Sequence, residues 1–396
     1  MGRRGRVASR LRNTEGGRMA RRLGIATAAL ALLAALFGPP AASADTDAYW
    51  DYRTLVVPGT YQATVGQFAG GPADDILWYG PGSAPDALWI GLEGKRGDST
   101  GFTKQALAVG GSYTPIVGNF GGDSYDDILW YAPGSGVDSL WISAPVAGGF
   151  DKSRRVTING TYRPKVLHDY RSAATKDDIV FLGPGSVPDF LWHFADNTSA
   201  TYTSRPLTVG GTYQLIPGDY SGDGIDDLML YQPGTGADYR WTSSASGAFS
   251  QTRVFVDGTY KPIKVLGEKY DGIFWWADGA GPSSYWRSTG PAFTSFSAGS
   301  YSAAGTAAPG GLGGVIIAVP GGTDQFFSAE PTAARGYDVL SPAGHEQTTA
   351  RALSGDFDGD GFLDVVWYGV GSQADELWYT VASPAAGGLA SHRSAE

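Results

Sequence analysis

The chain has 396 residues, with 29 Lys+Arg against 39 Asp+Glu and a formal net charge of −10; eight of the arginines and one glutamate precede residue 45, so 45–396 carries 21 basic and 38 acidic side chains, a net −17. That balance argues against a nucleic-acid partner, which needs a basic patch to displace counterions from phosphates. A hydrophobic fraction of 42% with 13% aromatics excludes disorder, and the absence of cysteine excludes disulfides, thiol catalysis and Cys-ligated zinc or iron–sulfur sites.

Residues 1–44 read as an export signal. Arg21-Arg22 precedes an apolar run from Leu23 to Phe37, then Gly38-Pro39-Pro40 and an A-x-A cleavage site, Ala42-Ser43-Ala44, before Asp45. The run is about 15 residues, short of the ~20 that a spanning helix needs. The expectation is a secreted, extracellular protein without a membrane span.

From there the sequence repeats itself. VPGTYQATVGQF at 57–68 recurs as VGGSYTPIVGNF at 109–120, INGTYRPKVLHDY at 158–170, VGGTYQLIPGDY at 209–220 and VDGTYKPIKVL at 256–266, with worn copies near Tyr301 and His345. A second phrase follows each: DDILWYGPGSAPDALW at 74–89, DDILWYAPGSGVDSLW at 126–141, DDIVFLGPGSVPDFLW at 177–192, DDLMLYQPGTGADYRW at 226–241 and LDVVWYGVGSQADELW at 363–378. Divergent members stand at 271–286 and 313–327. Counted between tyrosines, the period is 41 to 52 residues, giving seven units.

Each unit has room for four short strands, because aromatic and β-branched runs alternate with Gly, Pro, Asp and Ser and no helical period appears after residue 45. In unit two these are YTPIVGNF, DILWYAP, DSLWIS and FDKSRRVTI. The run ILWY is continuously apolar, which requires burial on both faces. The fold expectation is all-β: a seven-bladed β-propeller of four-stranded antiparallel blades over 45–382, followed by a flexible tail at 383–396. The stretch Tyr49–Val57 resembles the fourth strand ahead of every later GTY, so the N-terminal strand is expected to complete blade seven and close the ring, leaving no open edge.

The most specific chemistry lies in GDFDGDGFLD at 355–364. Asp356, Asp358, Asp360 and Asp364 fall at loop positions 1, 3, 5 and 9, Gly361 permits a sharp bend, and the Phe362 carbonyl is free to point inward. Hard oxygen donors at this spacing are what Ca²⁺ demands, and four carboxylates this close repel one another without a cation. GDYSGDGIDD at 218–227 repeats the set with Asp219, Ser221, Asp223, Asp227 and the Ile225 carbonyl. GNFGGDSYDD at 118–127 keeps Asn119, Asp123 and Asp127 but has Gly121 at a ligand position and Ser124 at the bend, leaving its occupancy open. The other copies lack the ligand set, and Asp75 and Asp178 are expected to cap their loops through backbone amides.

With GDFDGDGFLDVVWYGVG, NFGGDSYDDILWYAPG and GDYSGDGIDDLMLYQPG in view, the chain resembles the FG-GAP/VCBS repeat family, the blade unit of the integrin α-subunit N-terminal propeller and of many secreted bacterial proteins. The resemblance covers nearly all of 45–382 and is weakest in units five and six. It implies Ca²⁺ binding in the loop between the first two strands, here on Asp356, Asp358, Asp360 and Asp364 and on Asp219, Ser221, Asp223 and Asp227. It implies binding or adhesion more often than catalysis and fixes no ligand.

Tryptophans such as Trp78, Trp89, Trp130 and Trp141 fall inside predicted strands and read as core between blades. Strand order puts the GTY and PGSxxD turns on the face opposite the calcium loops. There Tyr61, Tyr113, Tyr162, Tyr213, Tyr260 and Tyr301, beside Asp86, Asp138, Asp189, Asp238 and Asp375, offer either a glycan-stacking ring with acceptors or turns packed on their own tyrosines with each aspartate capping its hairpin. Catalytic motifs fail: Gly97–Gly101 spells G-x-S-x-G without the strand and helix a nucleophile elbow needs, and Arg96-Gly97-Asp98 is a three-letter match only. The four histidines show no metal-ligand spacing. The functional expectation is a monomeric, calcium-stabilised, non-enzymatic extracellular module binding a protein or carbohydrate. A hydrolase or lyase using carboxylates on one face is the alternative.

Overall fold

The structure is a computed structural model, described for residues 49–94, 101–123, 125–144, 149–168, 176–195, 200–267, 269–277, 281–290, 292–300, 306–310, 314–318, 325–328, 335–338, 350–361, 364–371 and 373–381. The expected signal at 1–44 and tail at 383–396 lie outside these residues. No described helix is long and apolar enough to cross a membrane.

Strand β1 (Tyr49–Leu55) stands ahead of the repeats. Sheet one follows as β2 (Gln62–Gly66), β3 (Asp75–Tyr79), β4 (Asp86–Gly91) and β5 (Phe102–Leu107). Sheet two is β6 (Thr114–Gly118), β7 (Asp127–Tyr131), β8 (Asp138–Ala144) and β9 (Gly149–Val156), within the four runs expected for that unit. Sheet three is β10 (Arg163–His168), β11 (Asp177–Leu182), β12 (Asp189–Phe194) and β13 (Tyr202–Leu207); sheet four is β14 (Gln214–Gly218), β15 (Asp227–Tyr231), β16 (Asp238–Ser243) and β17 (Phe249–Val254). Sheet five is β18 (Lys261–Val265), β19 (Gly272–Trp276), β20 (Pro282–Ser288) and β21 (Phe293–Ser300). Sheet six is β22 (Thr306–Gly310), β23 (Gly314–Ala318), β24 (Gln325–Ser328) and β25 (Arg335–Asp338). Sheet seven holds β26 (Arg351–Gly355), β27 (Asp364–Tyr368) and β28 (Asp375–Val381), and β1 pairs antiparallel with β28 from Tyr49↔Val381 to Leu55↔Asp375.

All pairings within the sheets are antiparallel, and each sheet orders its strands consecutively. The first strands contact one another in turn, from β2 through β6, β10, β14, β18, β22 and β26 back to β2. The fold is therefore a β-propeller of four-stranded antiparallel blades. In sheet six, Val315 and Ile317 of β23 are buried in the core.

The second strands are buried along their whole length, as in DILWY of β3 and β7 and DVVWY of β27. Cores form between sheets: Leu129 and Tyr131 of sheet two pack with Ile179 and Phe181 of sheet three. Sheet seven packs its Val366 and Tyr368 against Ile76 and Trp78 of sheet one. Trp78 meets Tyr368 edge-on at 5.0 Å and Trp89 at 5.3 Å, so the periodic tryptophans are indeed core. Each such buried aromatic contributes on the order of 2 kcal/mol or more through apolar burial.

Candidate metal centre

The loops joining first to second strands all lie at one end of the propeller. In the loop after β26, the Asp356 carboxylate organises the backbone: Gly359 N–H (2.8 Å) and Asp360 N–H (3.1 Å) donate to Oδ1, and Gly361 N–H donates to Oδ2 at 2.8 Å. The loop after β14 is built identically, with Gly222 (2.6 Å) and Asp223 (3.2 Å) on Asp219 Oδ1 and Gly224 on Oδ2 at 2.8 Å. The bend requires Gly361 at φ 89° and Gly224 at φ 83°, in the left-handed region that side chains avoid.

Asp356, Asp358 and Asp364 each bring an oxygen within 4.8 Å of the others. Two oxygens bound to one Ca²⁺ at about 2.4 Å stand no more than about 4.8 Å apart, so this donor set fits a hard divalent cation. Burial, with Asp360, Asp74 and Asp358 nearby, pushes the Asp356 carboxyl up to about 7. In sheet four, Asp227 is fully buried and its carboxyl is likewise raised to about 7 by burial, with Asp219 and Asp223 adding repulsion. Its Oδ1 accepts from Ser243 N–H (2.9 Å) and Oγ (3.2 Å), while its Oδ2 and the Ser221 Oγ have no hydrogen-bond partner. Buried polar atoms are rarely left unmatched, and these two belong to the ligand set expected from the sequence. Ile225 is buried within the same loop; Phe362 lies outside the described residues.

The worn loops meet their last aspartates from within, although the buried Gln67 Oε1 of sheet one is left unmatched. In sheet one, Asp75 Oδ2 accepts from Phe68 (2.7 Å) and Ala69 (2.9 Å) and Oδ1 from Gly91 (2.9 Å), the capping role expected for it; burial raises its carboxyl to about 6. Gln67 replaces the first ligand, and its Nε2 donates to the Gly71 carbonyl. In sheet two, Gly121 N–H takes Asp127 Oδ2 at 2.6 Å, while Asn119 Oδ1 accepts from Gly122 (2.5 Å) and Asp123 (3.3 Å). In sheet three, Asp178 Oδ1 caps Phe194 N–H (2.8 Å), and Oδ2 lies 2.8 Å from His193 Nδ1. His168 stands at the first ligand position, 2.8 Å from Asp177 Oδ1, and that carboxylate raises the imidazole's affinity for a proton. Neither histidine was assigned a role from spacing.

The sequence also gave no sign that the two aspartates of each DD pair do different work. The second serves its own loop. The first reaches the neighbouring sheet: Asp74 Oδ2 accepts from Asp356 N–H (2.8 Å) while Asp74 N–H donates to Asp356 O (2.6 Å). Asp126 clasps Gln67 in the same way, Asp177 clasps Asn119, Asp226 clasps His168 and Asp271 clasps Asp219.

At the opposite end, the GTY and PGS turns meet in isolated bridges, Gly82↔Gly111, Gly134↔Gly160, Gly234↔Gly258 and Gly59↔Gly371. Tyr79 Oη donates to Gly111 O and accepts from Tyr113 N–H, both at 2.9 Å, and Tyr131, Tyr231 and Tyr368 repeat this pin. The ring tyrosines pack on their own turns: a Cβ at Gly59 would stand 2.9 Å from Tyr61 Cε2, and Tyr61, Tyr113, Tyr162 and Tyr260 each meet a core aromatic edge-on at 6.0–6.2 Å. Tyr213 is buried, the other four are half-buried, and Tyr301 lies outside the described residues. Asp86, Asp138, Asp189, Asp238 and Asp375 are buried, and each accepts from two backbone amides at 2.7–3.1 Å. They are caps, which is the second of the two readings that the sequence allowed for this face. Residues 96–100, with the RGD and most of the G-x-S-x-G match, lie outside the described residues.

No family model and no curated protein matches the sequence. Among solved structures, an Agrocybe aegerita lectin, described as specifically recognising non-reducing terminal N-acetylglucosamine, is 14% identical over 80% of this chain and 87% of its own, with a TM-score of 0.52. BBS1N in complex with ARL6DN is 10% identical over 85% of this chain and 98% of its own, with a TM-score of 0.50. A Bacillus licheniformis rhamnogalacturonan lyase is 13% identical over 84% and 72%, with a TM-score of 0.43. At such identities the first two likenesses are of fold alone.

Proposed function

We propose that this chain is a secreted, calcium-stabilised binding module of the FG-GAP/VCBS type, a closed ring of seven blades that presents its GTY face to an extracellular glycan. The observation that carries the reading is the division of labour between the ends. One end holds convergent carboxylates, with Asp227 Oδ2 and Ser221 Oγ unmatched, as a structural Ca²⁺ site requires. The other end has its five flanking aspartates locked into buried caps, which leaves tyrosine edges and inner-strand ends to meet a ligand. Glycoside hydrolases need two carboxyl groups flanking the scissile bond, so this arrangement favours binding over the hydrolase alternative. The same fold serves the Agrocybe aegerita lectin as a sugar-recognition scaffold.

An array of cell-wall and plant polysaccharides, run with calcium and with EDTA and assayed for soluble products, tests the reading. Calcium-dependent retention without product is the expected result. Release of reducing ends or unsaturated sugars would establish the enzymatic alternative, and retention of no glycan would direct the search to a protein partner.

A further inference from the structure

The inner strands carry a charge pattern opposite to that of the whole chain. Although 38 carboxylates follow residue 44, the strands β2, β6, β10, β14, β18, β22 and β26 contain no Asp or Glu, yet they hold Arg163, Lys165, Lys261, Lys264 and Arg351. Three of these, Arg163, Lys261 and Arg351, are the first residues of β10, β18 and β26, so the register sets them at one level of the ring, at the GTY end. The same level carries Gln62, Thr114 and Gln214, the first residues of β2, β6 and β14. All three cations are exposed there. Lys264 stands three residues along β18 from that level, with its Nζ 3.8 Å from Asp271.

A cavity of about 450 Å³ opens at this level between β26, β2 and β6, lined by Gln62, Thr64, Thr114 and Leu353 and by Arg351 as its one cation, with Arg163 on the adjoining β10. Its size lies within the range of small-ligand sites, about 300–1,000 Å³. A concave site bearing one sign of charge within low-dielectric walls concentrates counter-charged ligands, and a guanidinium grips a carboxylate bidentately. Amides and hydroxyls interleaved with the cations match a ligand rich in hydroxyls as well as charge.

We propose that this axial mouth is the ligand site and that it takes an acidic saccharide, a chain whose sugars carry carboxylates. The assignment rests on the glycan reading above and narrows it to uronic-acid chemistry. Calorimetric titration of the purified, calcium-loaded protein with trigalacturonate, neutral galactotriose and inorganic phosphate tests it. Trigalacturonate should bind at least tenfold more tightly than galactotriose, with affinity falling as salt rises. Arg163→Gln combined with Arg351→Gln should weaken that binding at least tenfold without changing the melting temperature, whereas Lys152→Gln on β9 should change neither. Equal affinity for the acidic and neutral trisaccharides, or undiminished binding by the double variant, would overturn the charge assignment while leaving glycan binding intact. Phosphate binding without trigalacturonate binding would overturn the saccharide assignment. Failure to bind any glycan on the array as well would remove both readings.

Discussion

The loop after β14 differs from those after β2, β6 and β10 chiefly in what meets the last aspartate of the loop, whereas in the loop after β26 the Phe357 N–H takes Asp364 Oδ2 at 2.9 Å, much as Phe68 takes Asp75. In sheets one and two, backbone amides take both oxygens of Asp75 and Asp127, and in sheet three His193 stands beside Asp178. In sheet four, Asp227 Oδ2 has nothing. On the proposed calcium assignment, one loop template has two solutions to the same electrostatic problem: recruit a cation, or close protein donors around the carboxylate. On this view the blade-two loop, whose occupancy the sequence left open, belongs with the second group.

The largest way to break the comparison is to remove calcium. At 100 times its dissociation constant, calcium adds about 2.7 kcal/mol per independent site, so chelation should lower stability by about 5 kcal/mol if both intact loops are filled. Denaturant melts with and without EDTA read this directly, and an unchanged midpoint would count against the metal assignment. Asp227→Ala should forfeit its share in calcium, and in EDTA should cost only about 1 kcal/mol, because it strands the Ser243 amide while removing an unmatched buried oxygen.

Asp75→Ala should behave in the opposite manner. It strands the amides of Phe68, Ala69 and Gly91 and should cost about 3 kcal/mol whether or not calcium is present. His193→Ala leaves Asp178 Oδ2 without its imidazole, a loss of about 2 kcal/mol that EDTA should not alter. Asp74→Ala removes one arm of the clasp on Asp356 across the ring's seam and should cost about 1 kcal/mol, measurable as a shift in denaturation midpoint.

Much of this was legible in the sequence because the relevant signals are local. ILWY announces a doubly buried strand, the GTY phrase marks each entry into an inner strand, and Tyr49–Val57 could be matched to the missing outer strand of sheet seven. The donor spacing in GDFDGDGFLD is likewise contained within ten residues. What could not be read depends on partners far along the chain. Asp74 and Asp75 are neighbours of identical chemistry, yet one clasps Asp356 in sheet seven and the other closes its own loop. His193 reaches Asp178 only because β11 and β12 pair antiparallel, and Asp86 and its equivalents each take a second amide from beyond their own hairpin, 23 residues on for Asp86 and 318 away at Val57 for Asp375. The cation ring at the axial mouth emerges only when separate inner strands are aligned by the fold.

The central claim is that the two intact loops hold calcium and the worn loops have replaced it with protein donors. Counting calcium by titration of the chelator-treated protein tests this most directly. The count should be two per chain, falling to one in the Asp358→Ala, Asp360→Ala double variant. A count of zero, or a third ion lost on Asp123→Ala in sheet two, would contradict it.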